Sequence, residues 1–173
     1  HLLKRGYAVE SCIAAGVLVR GPDGTVRDFF YQRIIFPNIY RGRVVHLTGR
    51  ILTDAEPKYL HLRGTIQHMY NEDALRHREV YVTEGVLDAL SLEAWGFPAM
   101  ALLGAGGLKP TYVERLGRVR TVYLCFDGDR AGEEGALRAG RALGPRARIV
   151  SLPEGKDVND LFREGRKEEF QAL

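Results

Sequence analysis

At 173 residues the chain has room for one domain or two small ones, with enough length for a sizeable core. Its 45% hydrophobic and 27% charged residues and net charge of +3 are ordinary for a soluble globular protein. No run approaches the eighteen or so apolar residues of a membrane span, and no secretory signal is visible. Cys12 and Cys125 lie far apart, with apolar flanks and no CxxC, and read as reduced core thiols of a cytoplasmic protein. The opening on His1 suggests a piece excised from a larger protein.

In chain order, residues 2–15 read as helical with a break at Gly6, and Gly21-Pro22-Asp23-Gly24 as a turn. Residues 26–30, 33–36 and 43–47 read as short strands, with Pro37-Asn38 and Arg41-Gly42 as turn material. This first part is basic: residues 1–79 hold 12 Lys and Arg against 8 Asp and Glu, plus all five histidines. Residues 80–173 hold 13 against 14. An acidic half joined to a basic half suits an enzyme that handles a polyanion with a metal. A solvated strand face is the plainer reading of Arg33, Arg41 and Arg43. His61, His68 and His77 lack metal-ligand spacing.

Residues 79–83 read as a buried strand closed by Glu84-Gly85, and residues 86–95 as an amphipathic helix carrying Asp88 one turn after Glu84. Residues 98–103 form the next strand, followed by the glycine-rich residues 104–107, which read as a tight turn rather than a phosphate cradle. A short helix over 109–116 leads to an apolar strand over 121–126, which ends in Asp127-Gly128-Asp129 just before a helix over 132–143. In an extended chain residues i and i+2 face the same side, so both carboxylates can address one point. A turn that caps the next helix is the alternative for an isolated Asp-Gly-Asp. A last strand over 146–152 precedes Lys156-Asp157-Val158-Asn159-Asp160, where Asp157 can cap a helix with Asp160 at its third position.

A strand ending in Glu84-Gly85 before a helix, followed about forty residues later by a strand ending in Asp127-x-Asp129 before a helix, resembles the Toprim domain. Preceding it, Arg33-Ile34-Ile35-Phe36-Pro37, Arg41-Gly42-Arg43-Val44-Val45, Thr48-Gly49-Arg50-Ile51-Leu52 and Pro57-Lys58-Tyr59-Leu60 resemble the segment before the Toprim fold in bacterial replicative primases. The chain is thus identified as a Toprim-type catalytic core of a bacterial or phage-type primase. The resemblance implies an α/β fold: a Toprim-like parallel sheet with flanking helices over 79–173, preceded by a small basic mixed α+β subdomain over 1–78. Two departures stand out. The segment 61–70 is shorter than in replicative primases and lacks a further lysine, and Asn159 replaces the second aspartate of an Asp-x-Asp pair, a form closer to phage and mobile-element primases.

The resemblance implies RNA-primer synthesis on single-stranded DNA from NTPs, with Mg²⁺ or Mn²⁺ as cofactor and, through regions absent here, a replicative helicase as partner. By it, Asp127 and Asp129 are metal ligands and Glu84 a metal ligand or general base, with Asp88 and Asp157 as further ligands. Carboxylate oxygens without Cys or His suit these hard ions. Arg50, Lys58, Tyr59 and Arg43 are the candidate nucleotide and nucleic-acid contacts, Arg holding phosphate bidentately and Lys as a point charge. Two other readings stand beside this one: a metal-dependent Toprim nuclease, which the basic segment 33–60 argues against, and a primase-derived nucleic-acid-binding module, which the intact acids argue against.

Overall fold

Short β-branched runs punctuated by Gly and Pro build the first part of the chain in a computed structural model that describes residues 1–64, 66–103 and 107–173. The turn expected over 104–107 thus falls almost wholly outside the described residues. The packing divides the chain into two units, residues 1–38 with 44–65, and residues 39–43 with 66–173.

In the first unit a 3₁₀ turn, Leu3–Arg5, ends at Gly6 in the left-handed region (φ 87), and α1 (Val9–Ala14) follows. Strands β1 (Leu18–Arg20) and β2 (Val26–Asp28) form an antiparallel hairpin, closed where the Gly24 amide donates to the Gly21 carbonyl at 3.0 Å. The remaining strands, β3 (Arg33–Tyr40), β4 (Arg43–Ile51) and β5 (Tyr59–His61), form a sheet in the order β3-β4-β5. The expected turn at Pro37-Asn38 is a strand instead. β3 is an edge, where the missing Pro37 N–H costs no ladder bond, and Asn38 is fully buried. The expected turn at Arg41-Gly42 is present, both residues having positive φ (50 and 74), as a tight two-residue hairpin requires.

Alternation along β4 sets His46, Thr48 and Arg50 on one face, with Thr48 opposite His61 and Arg50 opposite Tyr59 on antiparallel β5. The His46 and His61 rings lie 5.9 Å apart, and His61 Nδ1 is 3.1 Å from Thr48 Oγ1. Burial pushes both imidazoles below their ordinary pKa, and the charge of His61 adds to the effect on His46.

The second unit is built from β6 (Glu79–Thr83), α2 (Val86–Ala94), β7 (Ala99–Ala101), α3 (Pro110–Leu116), β8 (Thr121–Leu124), α4 (Arg130–Leu143), β9 (Ala147–Ile149), α5 (Val158–Arg163) and α6 (Lys167–Ala172). The four strands are parallel in the order β7-β6-β8-β9, as the α/β reading expects. Period-two alternation sorts the side chains. Val80, Val82, Val122 and Leu124 face a core shared with Tyr112 and Leu116 of α3 and Ala136, Ala139 and Leu143 of α4. On the other face Tyr81 stacks on Tyr123 at 4.6 Å, and Tyr81 continues to Phe97 and to Phe170 of α6. Cys12 and Cys125 are both buried free thiols, as expected.

The two histidines give the first unit a pH dependence. Their folded pKa values lie below the unfolded value of about 6.5, so the stability they permit is complete above about pH 6.5. It is lost as pH falls through that value, because the unfolded chain takes up the protons first. Amide-exchange protection of β4 should therefore hold from about pH 8 to about pH 6.5 and fall from there to about pH 5.5. His46→Gln should flatten that fall.

Candidate active site

Two acidic residues meet where β6 and β8 stop. β6 ends at Thr83 and the chain turns through Glu84-Gly85 into α2, while β8 ends at Leu124 and continues through Cys125-Phe126 to Asp127. The strands are parallel neighbours with Val82 opposite Leu124, so both run out at the same edge. There the Asp127 amide donates to Glu84 Oε2 at 3.4 Å. The helix after β6 packs against β7 and α5, and the helix after β8 against β9 and α3, on opposite faces of the sheet. Strand order therefore reverses between β6 and β8, and in open α/β sheets that crevice is where ligands are held.

Glycines admit the remaining acids. A Cβ on Gly85 would collide with Asp88 Oδ2, so the bare backbone lets the Asp88 carboxyl fold back toward the strand end. Asp88 is 7% exposed, and its Oδ1 accepts from the Asn159 amide at 3.0 Å. Burial, and then the charges of Asp157 and Asp127, push this carboxyl up to about 7 against the pull of the Asn159 amide. Gly128 has the Pro153 carbonyl where a side chain would begin. Its amide donates to the Lys156 carbonyl at 2.8 Å, and its carbonyl accepts from Gly155 at 2.7 Å. These two bonds sew the loop before α5 to the end of the β8 segment and bring Asp157 to the crevice. At Gly132, a Cβ would strike the Asp127 carbonyl.

The capping roles foreseen for the acids are also present. Asp129 is the N-cap of α4, accepting from the Gly132 amide at 2.8 Å. Asp157 is the N-cap of α5 in a reciprocal box with Asp160, through hydrogen bonds of 2.6 and 3.4 Å. Among the described residues no three His, Cys, Asp or Glu side chains already form a closed cation cluster. The residues nonetheless fit a hard divalent ion. The donors are all carboxylate oxygens, and Asp88, raised first by its burial, also feels the charges of Asp157 and Asp127, which a cation would offset.

In the first unit, Arg50 and Lys58 line a hollow of about 450 Å³ with residues 51–56. The Arg50 guanidinium lies 5.7 Å from the centre of the Tyr59 ring, and Arg50 Nε is buried without a hydrogen-bond partner. Tyr59 is half-buried and Lys58 exposed. Arg43 is exposed at the opposite end of β4 and does not line this hollow. Arg33, read as a solvated strand residue, is instead hydrogen-bonded to backbone carbonyls. Neither its role nor those of Gly85, Gly128 and Gly132 follows from local pattern, although glycine on both sides of an acid pair is the trace that close packing leaves.

Comparison with known proteins agrees with this arrangement. Residues 1–73 match the family model of the DNA primase catalytic core, N-terminal domain, and residues 81–162 match a Toprim-like model. The chain is 34% identical over 192 residues to a DNA primase of Pseudomonas aeruginosa, covering 99% of this chain but only 29% of that relative. Among solved structures, the Escherichia coli primase catalytic core superposes with a TM-score of 0.82 at 35% identity, over 99% of this chain and 62% of that one. A DnaG primase catalytic domain bound to ssDNA superposes with a TM-score of 0.83 at 33% identity, over 99% of this chain and 63% of that one.

Because Asp129 caps a helix as well as being a candidate metal ligand, its two roles separate by substitution. Asp129→Ala should lower unfolding stability by about 1 kcal/mol, while Asp129→Asn, also a good cap, should stay within a few tenths. Urea denaturation of the two variants measures the difference.

Proposed function

A DNA primase catalytic-core N-terminal domain followed by a Toprim-like domain makes this chain a member of the DNA primase family, and from that premise we propose that it is a primase catalytic core, a DNA-directed RNA polymerase that makes RNA primers on single-stranded DNA. The observation that carries this reading is the meeting of Glu84 and Asp127 at the switch point of the sheet, in a chain whose first 73 residues are of primase type. That N-terminal match favours polymerisation over the hydrolysis a Toprim nuclease would perform with similar acids. A solved relative bound to ssDNA supports the choice of template.

Under this reading a primer 3′-hydroxyl attacks the α-phosphate of an incoming NTP, the bond to pyrophosphate breaks, and the hydroxyl proton leaves to a base. Glu84, Asp127 and Asp129 would hold Mg²⁺ or Mn²⁺, with Asp88 and Asp157 as further ligands. When bound, the ion supplies positive charge for the attacking oxygen and the triphosphate. Glu84, exposed in the chain, would serve either as a ligand or as the base that takes the proton. Residues 1–78 would supply phosphate contacts through Arg50, Lys58 and Arg43, and an aromatic surface through Tyr59. Residues 79–173 would supply the acids. A replicative helicase and a cytoplasmic location complete the proposal; among the described residues no helix is long and apolar enough to cross a membrane.

Calorimetric titration of Mn²⁺ tests the acid set. Asp127→Asn and Asp129→Asn should each bind the ion more weakly than wild type, and equal affinity in all three proteins would remove these residues from the site. In extension of a preannealed oligonucleotide with NTPs, Glu84→Gln should be inactive. Cleavage of the DNA by the wild type would point to the nuclease.

Salt dependence tests the basic residues. Arg50→Ala and Lys58→Ala should weaken single-stranded DNA binding without changing Mn²⁺ affinity. The slope of log K against log salt should fall by roughly 0.7 for each phosphate that the variant no longer neutralises.

A further inference from the structure

Arg33 is 16 residues from Gly49 and 25 from Lys58 in sequence, yet its guanidinium reaches both. Its Nη1 donates to the Lys58 carbonyl at 3.1 Å and to the Gly49 carbonyl at 3.4 Å, and its Nη2 donates to the Pro57 carbonyl at 2.7 Å. One planar fork thus ties together the residue before Arg50, Lys58 itself, and the residue before Lys58. The stem of Arg33 reaches these carbonyls across Gly49. A Cβ at Gly49 would strike the Phe30 ring and lie 3.2 Å from Arg33 Cδ. The glycine therefore leaves the space that the arginine and Phe30 occupy.

The tie sits where the sheet has few other means of fixing the segment. β5 is three residues long, and residues 52–58, which lead into it, are exposed. The local bonds described in that segment include the Ile51 amide to the Lys58 carbonyl at 3.1 Å, the Lys58 amide to Glu56 Oε2 at 2.9 Å and the Ala55 amide to Thr53 Oγ1 at 3.4 Å. The first joins β4 to Lys58, and Arg33 reinforces it at the same carbonyl oxygen. The Arg33 side chain spends its donors on the backbone and so holds a charge beside the hollow without presenting it as a phosphate clamp.

We infer that Arg33 is a positioning residue: it fixes the Pro57-Lys58 backbone against Gly49, so that Lys58 is held in one geometry beside the hollow for a phosphate-bearing ligand. The inference rests on the proposal that Arg50 and Lys58 contact nucleotide or nucleic-acid phosphates. It differs from a direct role in one measurable way. A residue that acts through Lys58 has nothing left to do once Lys58 is gone.

The test is a double-mutant cycle on the whole chain, with Arg33→Ala, Lys58→Ala and the double variant, read by binding of a labelled single-stranded oligonucleotide at several salt concentrations. Arg33→Lys is run alongside, because it keeps the charge but cannot bridge three carbonyls and is the milder change to the fold. Arg33→Ala should weaken binding about fivefold or more in the wild-type background, within the range of coupled neighbours, and by less than about twofold in the Lys58→Ala background. Arg33→Lys should bind more weakly than wild type, with a salt slope reduced as in Lys58→Ala. Should Arg33→Ala unfold the chain, Arg33→Lys carries the same cycle. Full additivity with Lys58→Ala, or wild-type binding by Arg33→Lys, overturns the positioning role. Unchanged binding by both Lys58→Ala and Arg50→Ala would instead remove the phosphate reading on which the role stands.

Discussion

The parallel pairing of β6 with β8 is the constraint on which the rest of the second unit depends. Neither strand follows the other in sequence; β7, α3 and their connections lie between them. Yet their pairing carries Val82 opposite Leu124 and so brings Glu84 within hydrogen-bond reach of the Asp127 amide. The helices that follow leave to opposite faces because each must bury its own apolar side, α2 against β7 and α5, and α4 against β8 and β9. A crevice opens as a by-product of that packing. Polar residues at its mouth cost little, since water or a ligand can reach them, whereas two residues before Glu84 and three before Asp127 the same strands hold fully buried Val82 and Leu124. The chemistry sits at the end of the strands because the strands themselves are the core.

Close backbone packing then adds acids that strand order alone would not supply. The loop carrying Asp157 reaches the crevice through Gly128, where any side chain would displace the Pro153 carbonyl. Asp88 enters through the space left by Gly85. Such crowding runs against simple electrostatics, and the charges of Asp157 and Asp127 add to the burial that raises the Asp88 carboxyl. A purely structural site would relieve this with neutral residues. An arrangement that keeps Glu84, Asp88, Asp127 and Asp157 near one crevice makes physical sense when a cation shares it.

Much of this is legible in the sequence because it is local. Apolar runs too short for helices, each ending in an acid and leading into an amphipathic helix, mark β6, α2, β8 and α4 together with Glu84, Asp127 and Asp129. Where local pattern misleads, a longer-range interaction has won. Pro37-Asn38 looks like a turn, but the sheet order makes β3 an edge and tolerates the proline. Strand β1 escapes the sequence reading, since three residues after a helix carry little periodicity and exist only by pairing with β2. The strand around Arg33 says nothing of its partners, which lie some 25 residues away. The spacing does place Asp88 one helical turn from Glu84. Its burial and its bond to Asn159, 71 residues distant, cannot be read from that spacing.

Asn159 is one of the two points at which the resemblance to replicative primases is incomplete, and the structure gives this one a physical logic. Its amide donates to Asp88 Oδ1 at 3.0 Å, and its side-chain oxygen lies 3.3 Å from Ser91 Oγ, a hydroxyl that also donates to the Leu87 carbonyl. An aspartate here would set another negative charge beside a buried carboxyl that Asp157 and Asp127 already oppose. It would raise that carboxyl further or require more counter-charge. Asn keeps the oxygen acceptor near Ser91 without the charge. The acid one place on, Asp160, completes the capping box with Asp157. The charge expected at Asn159 is instead carried one residue later, at Asp160, also in the first turn of α5, where the helix dipole favours an anion. The N-terminal amides of α5 are thereby shared between Asp88 and Asp157, so that helix α5 is anchored by two of the acids proposed for the metal site.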